Sequence, residues 1–271
     1  MLRKKSTLPT PVSPKRCTKC LRSIKSCFCS AIEPFPTNTD FRILMHPKEA
    51  KRQKVGTGRI ANLCLENSKI IIGEQFQNNL EVNNLINSPH FHTLILYPGE
   101  TSHNITQGPI TFDPNKKLLV FIIDGTWPCA KSMMRDSKNL HHLPRISFET
   151  NEISKFKIKH QPAKYCLSTI ESIYHLLNGL EKWNLEQLEG KQKILPQALE
   201  RIVDFQLKCA IDPKLSGYRR GAFSDPSKRK DSIKWESRKI CFDEKNYLHR
   251  IKPSLQVQNG QNSQSPTIPN R

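Results

Sequence analysis

Apolar residues follow two rhythms along this chain. Short dense runs occupy Phe41 to Met45, Lys69 to Ile72, Thr93 to Tyr97 and Leu118 to Ile123. They are rich in β-branched residues and stop at Gly73 or at Pro98-Gly99, which predicts strands. Leu118 to Ile123 has no polar interruption, the signature of a strand buried on both faces of a parallel sheet. Helical spacing takes over between and after these runs. Gly58 to Glu66 sets Ile60, Leu63 and Cys64 on one face, and Thr169 to Leu180 repeats Ile170, Ile173, Tyr174, Leu177 and Leu180. Pro196 to Cys209 lines up Ala198, Ile202, Phe205 and Cys209, with Pro196 suited to a first helical turn. The alternation predicts an α/β fold over 36–211, with helices around a mainly parallel sheet.

Both ends read differently. Residues 1–14 carry Pro, Ser and Thr but no core, and 252–271 are rich in Gln, Asn, Ser and Pro. Both segments are expected to be disordered. Residues 212–251 form a basic extension. Within 214–241, nine Lys or Arg face three acids, with Tyr218, Phe223 and Trp235 interspersed. Such a stretch either tracks phosphates and stacks bases or is a solvated tail.

Charge extends the point to the whole chain. Lys and Arg total 43 against 24 Asp and Glu, a formal charge of +19. An anionic partner follows, nucleic acid first, with acidic lipid or a merely solubilising surface as the alternatives. Mean hydropathy is −0.57, and no run reaches the roughly 20 apolar residues of a membrane span. Met1 to Pro14 lacks the apolar segment of a secretion signal. The expectation is a soluble, cytoplasmic protein with no membrane association, and nothing in the sequence asks for an obligate protein partner.

The cysteines are unevenly spread. Cys17, Cys20, Cys27 and Cys29 form C-x2-C-x6-C-x-C, while Cys64, Cys129, Cys166, Cys209 and Cys241 are scattered and read as ordinary thiols. Four thiolates on two close turns can surround one tetrahedral Zn²⁺ and leave no open position, so the site would be structural. A redox pair, unbound thiols or an iron–sulfur cluster are the other readings. Residues 15–35 are thus expected to be a small N-terminal zinc knuckle, made basic by Lys15, Arg16, Lys19, Arg22 and Lys25.

Polar, turn-rich segments stand where strands should end. Asp124-Gly125-Thr126-Trp127-Pro128 follows the strongest strand, and ligands in open α/β sheets bind beyond the carboxyl ends of strands. Gly125 permits a tight turn, and Pro128 suits the first turn of a helix through Ala130 and Met133. Asp124 could accept a proton or hold a cation, Thr126 could bind substrate, and Trp127 could stack on adenine or uracil. Equally, Asp or Thr there could be a helix cap and Trp a core residue. Ser168-Thr169-Ile170-Glu171 has the form of a capping box. His46-Pro47-Lys48-Glu49 ends the first strand, and Lys51, Arg52, Lys54 and Arg59 follow as phosphate contacts or a solvated face. Tyr97-Pro98-Gly99-Glu100 ends another strand.

These pieces, in this order and together with Leu143-Pro144-Arg145, resemble the DTW-domain family of tRNA-uridine aminocarboxypropyltransferases. The family's Asp, Thr and Trp fall at Asp124, Thr126 and Trp127. The resemblance covers roughly 15–210. It implies a fold related to the SPOUT group of S-adenosylmethionine (SAM) enzymes, often knotted near the SAM site. It implies tRNA as partner, SAM as co-substrate, and transfer of the 3-amino-3-carboxypropyl group to uridine N3 with release of methylthioadenosine. One departure stands at Phe156-Lys157-Ile158-Lys159, where the family tends to carry Arg. Lys159 keeps that charge but loses the bidentate fork.

The implied roles follow. Tyr97, Pro98, Asp124, Gly125, Thr126, Trp127, Ser168, Thr169 and Glu171 would bind SAM. A proton must leave uridine N3, so a base is needed. Asp124 is the first candidate, unless it orients the SAM ammonium, and His46 is the second. Two other readings compete: a SAM-dependent RNA methyltransferase and a non-enzymatic zinc-containing RNA-binding protein.

Overall fold

In a computed structural model, the described residues are 17–52, 56–156 and 166–211. The expectations for 1–14, Lys15, Arg16, Lys54, Lys157 to Lys159, the basic extension and the C-terminal tail lie outside them.

Among the described residues the sheet has six strands: β1 (Asp40–Met45), β2 (Ser68–Ile72), β3 (Phe91–Leu96), β4 (His103–Asn104), β5 (Lys117–Asp124) and β6 (Arg145–Ser147). Their order is β2-β1-β5-β3-β6-β4, and every pairing is parallel. The mainly parallel sheet expected from the sequence is wholly parallel. All four apolar runs are strands within a residue or two of their expected ends. β4 and β6 are too short to leave a period in the sequence.

Among the described residues six α-helices accompany the sheet: α1 (Pro47–Arg52), α2 (Thr57–Cys64), α3 (Leu80–Ile86), α4 (Trp127–Asp136), α5 (Thr169–Lys182) and α6 (Ile194–Ile211). Alternation along the strands sorts them into two layers. Leu118, Val120 and Ile122 of β5 join Phe41, Ile43, Leu94 and the buried faces of α2, α5 and α6 in one core. Leu119 and Phe121 join Leu44, Ile95, Val82 of α3 and Met133 of α4 in the other. A strand buried on both faces needs apolar residues at every position, which is what the uninterrupted run at 118–123 supplies. On α2 the buried positions are Ile60, Ala61 and Cys64, whereas Leu63, expected on that face, is half-exposed. None of the helices in the described residues is long and apolar enough to cross a membrane.

The chain leaves β1 outward to β2, then crosses back over β1 and β5 to reach β3. The connections from β1 and β5 leave in opposite directions, to β2 and to β6, the topology at which open α/β sheets place ligands, between the carboxyl ends of the two strands. Met45 and Asp124 are register partners there.

Candidate functional site

Asp124 is the last residue of β5 rather than the first of a loop. Strand alternation turns its side chain toward the α2/α5 layer. It is 4% exposed. Its Oδ1 accepts a hydrogen bond from the Thr169 hydroxyl at 2.5 Å, and Thr169 is the first residue of α5. On the other side stands Gly58 in the first turn of α2, where an added Cβ would lie 2.6 Å from both Cγ and Oδ2 of Asp124. Only glycine lets the helix come so close. The carboxylate therefore sits between two helix N-termini, a place that favours negative charge.

The next turn leads away from this carboxylate. Thr126 is the N-cap of α4, is exposed, and makes no side-chain cap bond. Its carbonyl accepts from Ala130 N–H at 2.8 Å. Pro128 occupies the first turn of α4, as expected, and Trp127 is half-buried at its start.

Glu171 is fully engaged in holding structure. Its oxygens accept from Ser168 N–H at 2.8 Å, Ser168 Oγ at 2.5 Å, Lys155 N–H at 2.7 Å and Ser154 Oγ at 2.9 Å. The first of these is the reciprocal half of a capping box. The last two pin residues 154–155 to the start of α5.

His46 is buried beside the end of β5, and its N–H donates to the Asp124 carbonyl at 2.9 Å. Its Nδ1 accepts from Lys48 N–H at 3.1 Å. In the neutral ring the proton then belongs on Nε2, which points toward Glu74 at 3.9 Å. The imidazole in this form offers a donor at Nε2. Of the basic run that follows, Lys48 and Lys51 are exposed, while Arg59 donates to the Ala50 carbonyl at 3.3 Å and ties α2 to α1.

Tyr97 and Pro98 follow the end of β3, and Tyr97 packs in the α3/α4 layer. They meet a residue that sequence reasoning quoted without a role. The Arg145 guanidinium lies 5.6 Å from the Tyr97 ring centre, and a Cβ on Gly99 would approach its Nη1 to 2.9 Å. Gly58 was also missed. Its signal was a glycine inside a helical pattern, and the signal for Arg145 was a proline just ahead of an arginine at a strand start.

The predicted site residues thus fall into two groups at one edge of the sheet. His46, Asp124, Gly125, Ser168, Thr169 and Glu171 gather around the ends of β1 and β5. Tyr97 and Pro98 gather with Arg145 beyond β3. A cleft of about 530 Å³ at the opposite edge is lined by Thr37, Asn38, Lys116 and Asn184, among others. Its polar groups serve the strand starts: Glu186 accepts from the Asn38 and Thr39 amides at 2.8 and 2.7 Å, and Lys117 pairs with Asp40 at 2.6 Å.

The four clustered cysteines converge. Their sulfurs all lie within 4.8 Å of one another, and Cys17–Cys29 and Cys20–Cys27 are each 3.8 Å apart. All four are free thiols. Tetrahedral Zn²⁺ with bonds of about 2.3 Å sets sulfurs about 3.8 Å apart, so the cluster fits that ion. Amide donors from Cys20 and Lys19 hold the Cys17 thiol down to about 6. Burial pushes Cys20 and Cys29 up. Among the scattered thiols, Cys64 and Cys166 are buried and Cys129 half-buried. Burial pushes the Cys64 thiol up to about 12, consistent with an inert core residue.

Residues 14–207 match the family described as the DTW domain. Among similar curated proteins, a Drosophila melanogaster protein named tRNA-uridine aminocarboxypropyltransferase 2 is 34% identical over 61% of this chain and 66% of its own length. Proteins of the same name from Macaca fascicularis and Mus musculus are 30% and 31% identical, over 76% and 74% of this chain and 70% and 66% of theirs. The chain spans about two thirds of the length of these relatives. No solved structure matches it, so the SPOUT likeness rests on the sequence resemblance.

Proposed function

The chain belongs to the DTW-domain family, and from that premise we propose that it transfers the 3-amino-3-carboxypropyl group of SAM to N3 of a tRNA uridine. The observation that carries this reading is a buried carboxylate held between two helix N-termini, at the edge of a parallel sheet, in a chain whose relatives are named tRNA-uridine aminocarboxypropyltransferases. In the reaction a bond forms between N3 and the first carbon of the aminocarboxypropyl chain as that carbon's bond to sulfur breaks. Sulfur keeps the electron pair and leaves as the neutral thioether of 5'-methylthioadenosine. The N3 proton goes to a base.

Asp124 is assigned to that proton. Thr169 and Gly58 fix the orientation of its carboxylate before substrate arrives, and fixed orientation lowers a barrier. His46 is assigned as a donor through Nε2 instead of a second base, because Nδ1 already accepts the Lys48 amide. Thr126 and Trp127 stand at the start of α4, just past Asp124, and would contact SAM or the base. Arg145 supplies a planar cation for the SAM carboxylate, the role for which Lys159 was a poorer match. Ser168 and Glu171 act by holding α5, so that Thr169 meets Asp124. Cys17, Cys20, Cys27 and Cys29 would hold Zn²⁺, which would stabilise the knuckle. The knuckle and the basic surface would bind tRNA through phosphates, and a uridine must leave its stack to reach the site.

The test uses unmodified tRNA and two SAM preparations, one labelled in the methyl group and one in the carboxyl group. Label should enter tRNA from the carboxyl preparation alone, with methylthioadenosine released. Label from the methyl preparation alone would make the protein a methyltransferase. tRNA binding with no label from either would leave a zinc-containing RNA-binding protein.

A further inference from the structure

Leu21 follows the second cysteine of the knuckle with φ 57°. This left-handed backbone suits glycine and is rare for a bulky residue. The turn imposes it, since Leu21 N–H donates to Cys17 O at 2.9 Å and Cys17 N–H to Arg22 O at 2.7 Å. Glycine would serve this turn better. The leucine side chain is instead 43% exposed, and Ile24, three residues on, is 55% exposed. A strained position that also presents apolar surface points to a use for that surface.

The orientation of the knuckle strengthens the point. Buried Arg22 places its guanidinium 5.1 Å from the Phe28 ring centre and 5.5 Å from that of Phe205 on α6, and its Nε donates to Ser26 O at 2.9 Å. Arg22 thus clamps one side of the knuckle to α6. Gln192, just before α6, bonds Asn178 and Glu181 near the end of α5. Farther along α6, Glu200 binds Lys155, whose amide bonds Glu171 in the first turn of α5. The helix therefore runs back toward the edge that holds Asp124, and Phe205 lies beyond Glu200. The knuckle sits against the carboxyl-terminal half of α6, and Lys19, two residues before Leu21, is exposed.

We propose that Leu21 and Ile24 form an apolar wedge that packs against an unpaired base of the bound tRNA, next to the uridine being modified. The inference rests on the tRNA-modifying reading above. Aliphatic wedges are a recurrent means of holding a base step open, and the charge of +19 supplies the attraction for the surrounding phosphates.

Leu21→Gly and Ile24→Ser, singly and together in the full chain, test it. Zinc content, SAM affinity by calorimetry, tRNA affinity by anisotropy and transfer across tRNA concentrations are measured. Leu21→Gly should keep its zinc and melt no lower than the parent, since it relieves the backbone. The double variant should bind tRNA about tenfold more weakly, because both side chains lose the burial that binding completes. Its SAM affinity should stay unchanged, and its transfer rate should fall wherever tRNA is below saturation. Unaltered tRNA affinity in zinc-loaded variants overturns the wedge alone, and so does a loss that tracks zinc. A parent protein that binds no tRNA overturns the wedge and the proposed function together.

Discussion

Two helices begin at the same edge of the sheet, and their first turns use similar residues to different ends. At α5, Ser168 and Glu171 spend their polar atoms on each other and on residues 154–155. At α4, Thr126 is exposed and its hydroxyl caps nothing. A cap that satisfies its own helix stabilises the fold and leaves little for a ligand. A cap position that declines this bond keeps a hydroxyl and orphan amides available at that edge. Asp124 stands between the two cases. It belongs to the strand that leads into α4, yet its side chain turns to the start of α5.

The sharpest way to separate these turns is Asp124→Asn, which keeps shape and removes charge. Transfer should fall about a thousandfold while the melting temperature shifts little. A variant that keeps its maximal rate but binds SAM poorly would reassign Asp124 from the N3 proton to the SAM ammonium. Next comes Glu171→Ala, which strands several buried donors. It should cost about 3 kcal/mol, or roughly 10 °C in a chain of this size. Full stability in that variant would contradict the structural role of this turn. Thr126→Ala should lower kcat/KM about tenfold through one lost hydrogen bond to ligand and leave melting unchanged. If it melts lower with full activity, Thr126 is a cap after all and the contrast fails.

The smallest effect also belongs to α5. His175 stacks on Phe148 at 5.3 Å between ring centres, and burial holds its pKa below the ordinary value of 6.5, with Glu152 acting the other way. The folded state therefore binds this proton less readily than the unfolded chain. Its contribution to stability is present above 6.5 and is lost as pH falls below that value. Chemical denaturation from pH 7 to 5 should show a decline that His175→Phe reduces while retaining the stack. Identical curves would remove His175 from the account.

Much of the fold could be read before the structure was known, because strands and helices write their burial locally. Continuous apolar runs marked β1, β2, β3 and β5, and helical repeats marked α2, α5 and α6. The short α3, with a single buried residue, Val82, left too weak a stripe to notice. The site was legible in part for the same reason. Its residues lie at strand ends, and strand ends are visible in sequence. The cysteine spacing likewise foretold the convergence of the four sulfurs, since two close turns restrict where they can go.

What the sequence could not assign was direction across the sheet. Thr169 is 45 positions from Asp124, and Gly58 is on a separate helix. Nothing local says that both close on one carboxylate, or that Arg145 ends under Tyr97 in the opposite layer. Those meetings follow from strand order and from which face each side chain takes, and a one-residue change of register would undo them. The sequence by itself determined the principal elements, the charge and the cysteine cluster, all properties of neighbouring residues. The tertiary structure alone decided which capping motif holds the fold and which is left open to a ligand, because a hydrogen bond already made is known only when its partner is in place.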